Sequence, residues 1–236
     1  ATATTALGCT VSNTANVTVI NCAIDFANLQ SPASGTINPC ESQVVTGQVF
    51  KTGVTEAAGA ATGMKAWVGV STTNSDPSTW TEANWNLAAF STQGGNNDEY
   101  TYTITGLPAG TYYYATRYQY LAGPYAYGGL SGIWNGTTST SGTLTVTPVS
   151  APVVTDLTYC NQAPTVATLK ATVTGTNVKV YTAATGGTEL ADTALLVSGT
   201  YHVSQTISGC EGPRAEVDVT INTTVAPATT NAVFCN

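Results

Sequence analysis

The chain has 236 residues, a net charge of −7 with six basic side chains, and only 8% charged residues, so neither nucleic acid nor an anionic membrane surface suits it as a partner. No apolar run reaches the length of a bilayer span, which argues against membrane insertion, and no secretory leader opens the sequence. Six cysteines, one histidine (His202) and no C-x-x-C spacing point to disulfides in an oxidising compartment rather than to a zinc site.

Taken in order, residues 1–21 read as terminal strands of a preceding module. Gly8-Cys9 leads into an alternating stretch ending in Val17-Thr18-Val19-Ile20, as Gly209-Cys210 leads into Val217-Asp218-Val219-Thr220-Ile221. A free-standing first strand of the next domain is the alternative. Residues 22–148 read as a β-sandwich domain. Strands are predicted at 24–29, ended by Ser31-Pro32, and at 43–50, with Val45, Gly47 and Val49 on one face. A small-residue loop, 53–63, precedes a strand at 64–70, where Trp67 is expected in the core. The segment 71–86, with Trp80 and Trp85, reads as a polar loop, followed by a short strand at 87–90.

The stretch 99–120 organises the domain. Tyr100, Tyr102 and Ile104 alternate with Thr101, Thr103 and Thr105, the period of a half-buried strand. Gly106-Leu107-Pro108-Ala109-Gly110 breaks the pattern, and a Tyr- and Thr-rich strand resumes it. Tyr112, just past this corner, fits the tyrosine corner of immunoglobulin-like sandwiches, whose hydroxyl bonds back to upstream backbone. Leu196-Val197-Ser198-Gly199-Thr200-Tyr201 repeats the same L-x-x-G-T-Y order. Two corners imply an all-β fold of tandem immunoglobulin-like β-sandwiches. A long loop then runs to Gly142, and 143–147 closes the sandwich.

After a linker at 148–152, residues 149–223 read as a second immunoglobulin-like domain, with strands at 169–173, 178–181, 194–197, 200–207 and 215–221. Residues 224–236 read as a linker and the first strand of a following module, since Phe234-Cys235-Asn236 echoes Tyr159-Cys160-Asn161. Domain logic pairs Cys160 with Cys210 and Cys22 with Cys40, leaving Cys9 and Cys235 to incomplete modules.

Chemistry is sparse. His202 lies between Tyr201 and Val203 and should face solvent, so no catalytic triad is visible and no enzyme activity is expected. Asn96, Asp98 and Glu99 form an oxygen-rich turn with the ligand type Ca²⁺ prefers, though too few of them; a turn bonding its own backbone is the alternative, and no other cofactor is implied. In the loop 122–142, Tyr125, Tyr127, Trp134 and Asn135 offer aromatics beside small polar groups. They either stack on a glycan or protein partner or fold back to seal the sandwich end.

Gln48-Val49-Phe50, Lys65-Ala66-Trp67-Val68-Gly69, the segment STTNSDPSTW ending at Trp80, Gly110-Thr111-Tyr112-Tyr113-Tyr114 and Trp134-Asn135-Gly136-Thr137 resemble a β-sandwich module of large secreted Bacteroidota proteins. Gly199-Thr200-Tyr201-His202-Val203-Ser204-Gln205 and Gly209-Cys210-Glu211-Gly212-Pro213-Arg214 are similar to the immunoglobulin-like repeats of the same proteins. The resemblance implies export by the type IX route to the cell surface. It also implies an O-glycan on Thr193, through Asp192-Thr193-Ala194, and bare Asn-x-Thr triplets at Asn16, Asn135 and Asn222. It leaves two functions open: a non-catalytic repeat of a cell-surface adhesin or filament, or a carbohydrate-binding accessory to a polysaccharide-degrading enzyme. The expected partners are neighbouring modules of one long chain, or copies of this one joined through Cys9 and Cys235.

Overall fold

The computed structural model describes residues 2–4, 10–12, 20–135, 139–225 and 227–228. Strands β1 (Thr2–Thr4) and β2 (Thr10–Ser12) pair antiparallel, Thr2 opposite Ser12. Cys9, Asn16, residues 17–19 and Cys235 lie outside the described residues.

The first sandwich holds β3 (Phe26–Ser31), β4 (Ser34–Ile37), β5 (Ser42–Phe50), β6 (Met64–Ser71), β7 (Trp85–Leu87), β8 (Ala89–Gly94), β9 (Asn97–Thr105), β10 (Gly110–Tyr120), β11 (Ala126–Gly129), β12 (Gly132–Ile133) and β13 (Gly142–Val146). One sheet has the order β3-β5-β9-β8. In the other, β6 lies between β7 and β10, and β10 pairs on its far side with β13 over its first half and with β11 over its second. The chain changes sheets between β3 and β4, at the cis Ser31-Pro32 peptide, and β4 then runs parallel to β13. Such a first strand shared between two antiparallel sheets, with its second part beside the last strand, is an immunoglobulin-like arrangement.

Period-2 alternation fills the core. Leu29, Val45, Val49 and Ile104 face Ala66, Val68, Tyr114, Tyr118 and Leu144. The buried tyrosine hydroxyls find carbonyls on the sheet-switching strand: Tyr114 Oη donates to Pro32 O at 2.7 Å. Burial pushes the Tyr114 phenol up to about 12.

Both tyrosine corners form. Tyr112 Oη donates to Pro108 O at 2.9 Å. Tyr201 Oη donates to Val197 O at 3.2 Å and accepts from Val197 N at 3.0 Å.

The second sandwich holds β14 (Leu157–Cys160), α1 (Val166–Lys170), β15 (Lys179–Tyr181), β16 (Gly199–Ser204), β17 (Thr206–Ile207), β18 (Cys210–Glu211) and β19 (Ala215–Asn222). Its main sheet has the order β14-β19-β16-β15, with β14 parallel to β19. The opposite layer is thinner than the strand pattern suggests. The strand expected from Leu169 starts inside α1, because Thr165 caps that helix and exchanges bonds with Thr168. Val166 and Leu169 still reach the core, on a helical face instead of a strand face. The strand expected at 194–197 is reduced to one bridge, Thr165 to Leu195.

Three further expectations are corrected. Trp67 is not in the sandwich core: Ala66 and Val68 point inward, so Trp67 between them points outward. The segment after Leu121 is not an open loop, since β11 and β12 extend the sheet along β10. Trp80 and Trp85, expected in a polar loop, are 9% and 8% exposed.

Candidate functional site

Strand β10 is buried on both faces, and its outer face carries Tyr113, Ala115 and Arg117. In register with it, β6 presents Gly69 opposite Ala115 and Trp67 opposite Arg117. Gly69 and Ala115 make a flat floor for Trp80 and Trp85; a Cβ on Gly69 would meet the Trp85 ring at 2.7 Å. On this floor the Arg117 guanidinium, in a residue only 2% exposed, lies among three rings. Its Cζ is 4.6 Å from the centroid of Trp67, 4.6 Å from Trp85 and 4.3 Å from Tyr125. Two parallel bonds of 2.7 and 2.9 Å tie it to Glu82 in the Glu82–Asn84 turn. The bonded Arg117 guanidinium holds the Glu82 carboxyl below its usual range. The sequence signal for this second aromatic layer is the run of large residues on both faces of 110–120, which a one-sided sheet does not need.

The aromatics of the loop divide. Tyr125 and Tyr127 fold back onto this face: Tyr125 meets Trp67 edge-on at 5.9 Å and Tyr127 meets Trp85 at 5.6 Å. Tyr125 keeps 42% of its surface exposed. Trp134 is half-buried, its backbone N–H donating to Tyr127 O at 2.7 Å. Asn135 is exposed and accepts from the Ser139 N–H at 3.4 Å. The three aromatics are therefore held against the β10–β11 sheet.

The oxygen-rich turn does not gather its side chains. Asp98 and Glu99 are neighbours on β9 and face opposite sides. Glu99 accepts from Gln48 and Gln30, while Asn96 contributes only its carbonyl, to Thr55 Oγ1. No cluster of three metal-binding side chains occurs among the described residues. Asp98 is fully buried, with Oδ2 accepting from Ala61 N at 2.9 Å and from Tyr100 Oη at 3.4 Å. Burial pushes its carboxyl up. The folded chain then keeps a proton that the unfolded chain releases above about pH 4, so this group's contribution to stability falls as pH rises through that window. We expect Asp98→Asn to gain melting temperature relative to the unmodified chain as pH increases, levelling once Asp98 is ionised. A difference independent of pH from about pH 3 to about pH 8 would overturn this.

Thr193 is exposed in a turn. His202 is half-buried on β16, opposite Glu216 and Tyr181 in the sheet register.

The cysteine pairing differs from the expected one. Cys40 is bonded to Cys210, 170 positions further along the chain, with a Cα separation of 5.4 Å. Cys22 and Cys160 are free. Strand geometry explains why neither expected pair forms. Cys160 pairs with Asn222 at the end of β19, whereas Cys210 lies just before its start. Roughly 25 Å of strand separates these ends, against the ~7 Å a disulfide tolerates. Cys22 packs on Gly123, past the C-terminal end of β10. Cys40 follows Ile37, which pairs with Val146 beside Gly110 at the other end of β10. The bond that does form joins the two sandwiches. Ser208 and Gly209, with φ of 50° and 82°, make the tight turn that presents Cys210, a conformation that favours Gly at the second position. Gln205 Nε2 donates to Ser150 O in the linker at 2.9 Å, and Ser208 hydrogen-bonds the Glu41 carboxylate across the joint, which lowers its pKa.

Residues 148–223 match the family of Ig-like domains associated with CHU_C. No curated protein matches the chain. Among solved structures, the fibronectin(III)-like modules of Clostridium thermocellum CbhA are 12% identical, covering 88% of this chain and all of that one, with a TM-score of 0.29. A complex of the first immunoglobulin domain of Dpr11 with DIP-gamma is 8% identical over 86% of this chain and all of that one, with a TM-score of 0.23.

Proposed function

We propose that this chain is a non-catalytic, extracellular repeat segment of an adhesive or filamentous protein, in which the two sandwiches act as one stiff strut. The observation that carries the reading is the Cys40–Cys210 bond across the 148–152 linker. Domains joined only by a linker and a small interface move relative to each other by default. A covalent clamp beside the linker removes that freedom, which serves a spacer or load-bearing role and does nothing for catalysis. A structural disulfide also suits an oxidising, exported setting. Among the described residues no helix is long and apolar enough to cross a membrane.

A glycan-binding accessory role is the weaker reading. Sugar stacking needs open ring faces, and of the loop aromatics Tyr127 packs on Trp85 and Trp134 is half-buried, which leaves Tyr125 as the exposed ring. Small-angle scattering tests the strut. Cys40→Ser should broaden the distribution of interatomic distances and lengthen its tail, while the unmodified chain gives a narrow one. Identical profiles would remove the strut.

A further inference from the structure

The cysteines of the two sandwiches occupy corresponding ends. In each sandwich the first strand of the sheet runs parallel to the last, β4 beside β13 and β14 beside β19. The chain leaves each sandwich at the end of this parallel pair. In the first sandwich an Asn-Thr contact marks that exit: Thr147 N donates to Ile37 O, and Thr147 Oγ1 to Asn38 Oδ1. In the second, Asn161 N donates to Asn222 O, and Asn161 and Thr224 exchange two bonds. Cys40 lies two residues after Asn38, and Cys160 lies one residue before Asn161. Both are exit cysteines. Cys210 and Cys22 lie at the opposite ends of their sandwiches, Cys210 before β19 and Cys22 against Gly123. Both are entry cysteines.

Among the described residues, the bond formed is exit to entry, Cys40 to Cys210. The two cysteines left free among the described residues are the outward-facing halves of the same device, entry Cys22 at one far end and exit Cys160 at the other. We propose that exposed Cys160 is the exit half of a second clamp, whose partner is the entry cysteine of another immunoglobulin-like sandwich placed after this one. This deepens the strut reading by naming what the strut couples to. The partner's chemistry is fixed by Cys210: a thiol presented by a tight Ser-Gly turn ahead of the last strand, seated against the linker. Here Pro39, Pro148, Val149 and Pro213 line the pocket around the bond. Closure joins two Sγ atoms. The two thiols give up two protons and two electrons to a disulfide donor such as glutathione disulfide, which leaves as two glutathione molecules.

The test extends the chain by repeating residues 148–223 directly after Thr224, with Ser in place of the repeated copy of Cys160, so that the new Thr-Pro-Val exit copies Thr147-Pro148-Val149 and only the original Cys160 is read. After oxidation with glutathione disulfide and alkylation of remaining thiols, peptide mass spectrometry reads every cysteine. We expect Cys160 linked to the repeated copy of Cys210, with loss of alkylation at both, and the Cys40–Cys210 peptide retained as the internal control. In the unextended chain, Cys160 should instead carry glutathione, and a protected Cys160 there would already overturn the proposal. Alkylated Cys160 in the extended chain, with the control bond intact, overturns it while leaving the strut standing. Loss of the control bond itself from the unextended chain would strike the strut.

Discussion

Arg117→Ala should cost the first sandwich about 3–4 kcal/mol, the scale for deleting a large buried side chain, and lower its melting temperature by roughly 10 °C. The size follows from what the guanidinium touches. Cation–π contacts reach about 2 kcal/mol when desolvated, and three rings surround a side chain that is almost wholly buried. The ion pair is the lesser part, because the Glu82 side chain is 74% exposed and water competes for it. Glu82→Ala should therefore change melting little. Arg117→Lys keeps the charge but loses the flat stacking surface, and should recover less than half of the loss. Thermal melts followed by near-ultraviolet circular dichroism, which reports tryptophan packing, read all three variants. Equal effects of Arg117→Ala and Glu82→Ala would show that the ion pair, not the ring stack, holds this face.

Cys210→Ser should be the other large loss. The bond closes a loop of 170 positions, and the chain-entropy account gives roughly 5 kcal/mol for a loop of that size, with about 2–5 kcal/mol the usual measured cost of removing a native disulfide. For a chain this long that amounts to about 10 °C in melting temperature. We also expect one calorimetric transition in the unmodified chain and two in the variant, since the joint is the covalent coupling between two distinct cores. Dithiothreitol added to the unmodified chain should reproduce the variant. An unchanged melt on reduction would mean that the linker contacts alone, such as Gln205 to Ser150, hold the sandwiches together.

Much of the fold was legible because it rests on short-range rules. Period-2 alternation located β5, β6, β9 and β10, and the L-x-x-G-T-Y order located both tyrosine corners, whose hydroxyls bond four residues upstream. Local chemistry overrode the strand pattern at Thr165 and Thr168, where a capping box turns a β-rich stretch into α1. That signal was also in the sequence, but it competes with strand propensity over the same residues.

The sequence by itself determined the all-β class, the two-sandwich organisation and the corners, because alternation and turn chemistry act over a few residues. Only the tertiary structure decided three things. It put Trp67 outside the core, because which face of a strand is buried depends on the partner sheet and not on residue size. It gathered Trp67, Trp80, Trp85, Tyr125 and Arg117, which are spread over five segments of chain, onto one floor of Gly69 and Ala115. And it joined Cys40 to Cys210, because a disulfide is selected by a few ångströms of separation in space, and the ends that meet belong to different sandwiches 170 positions apart.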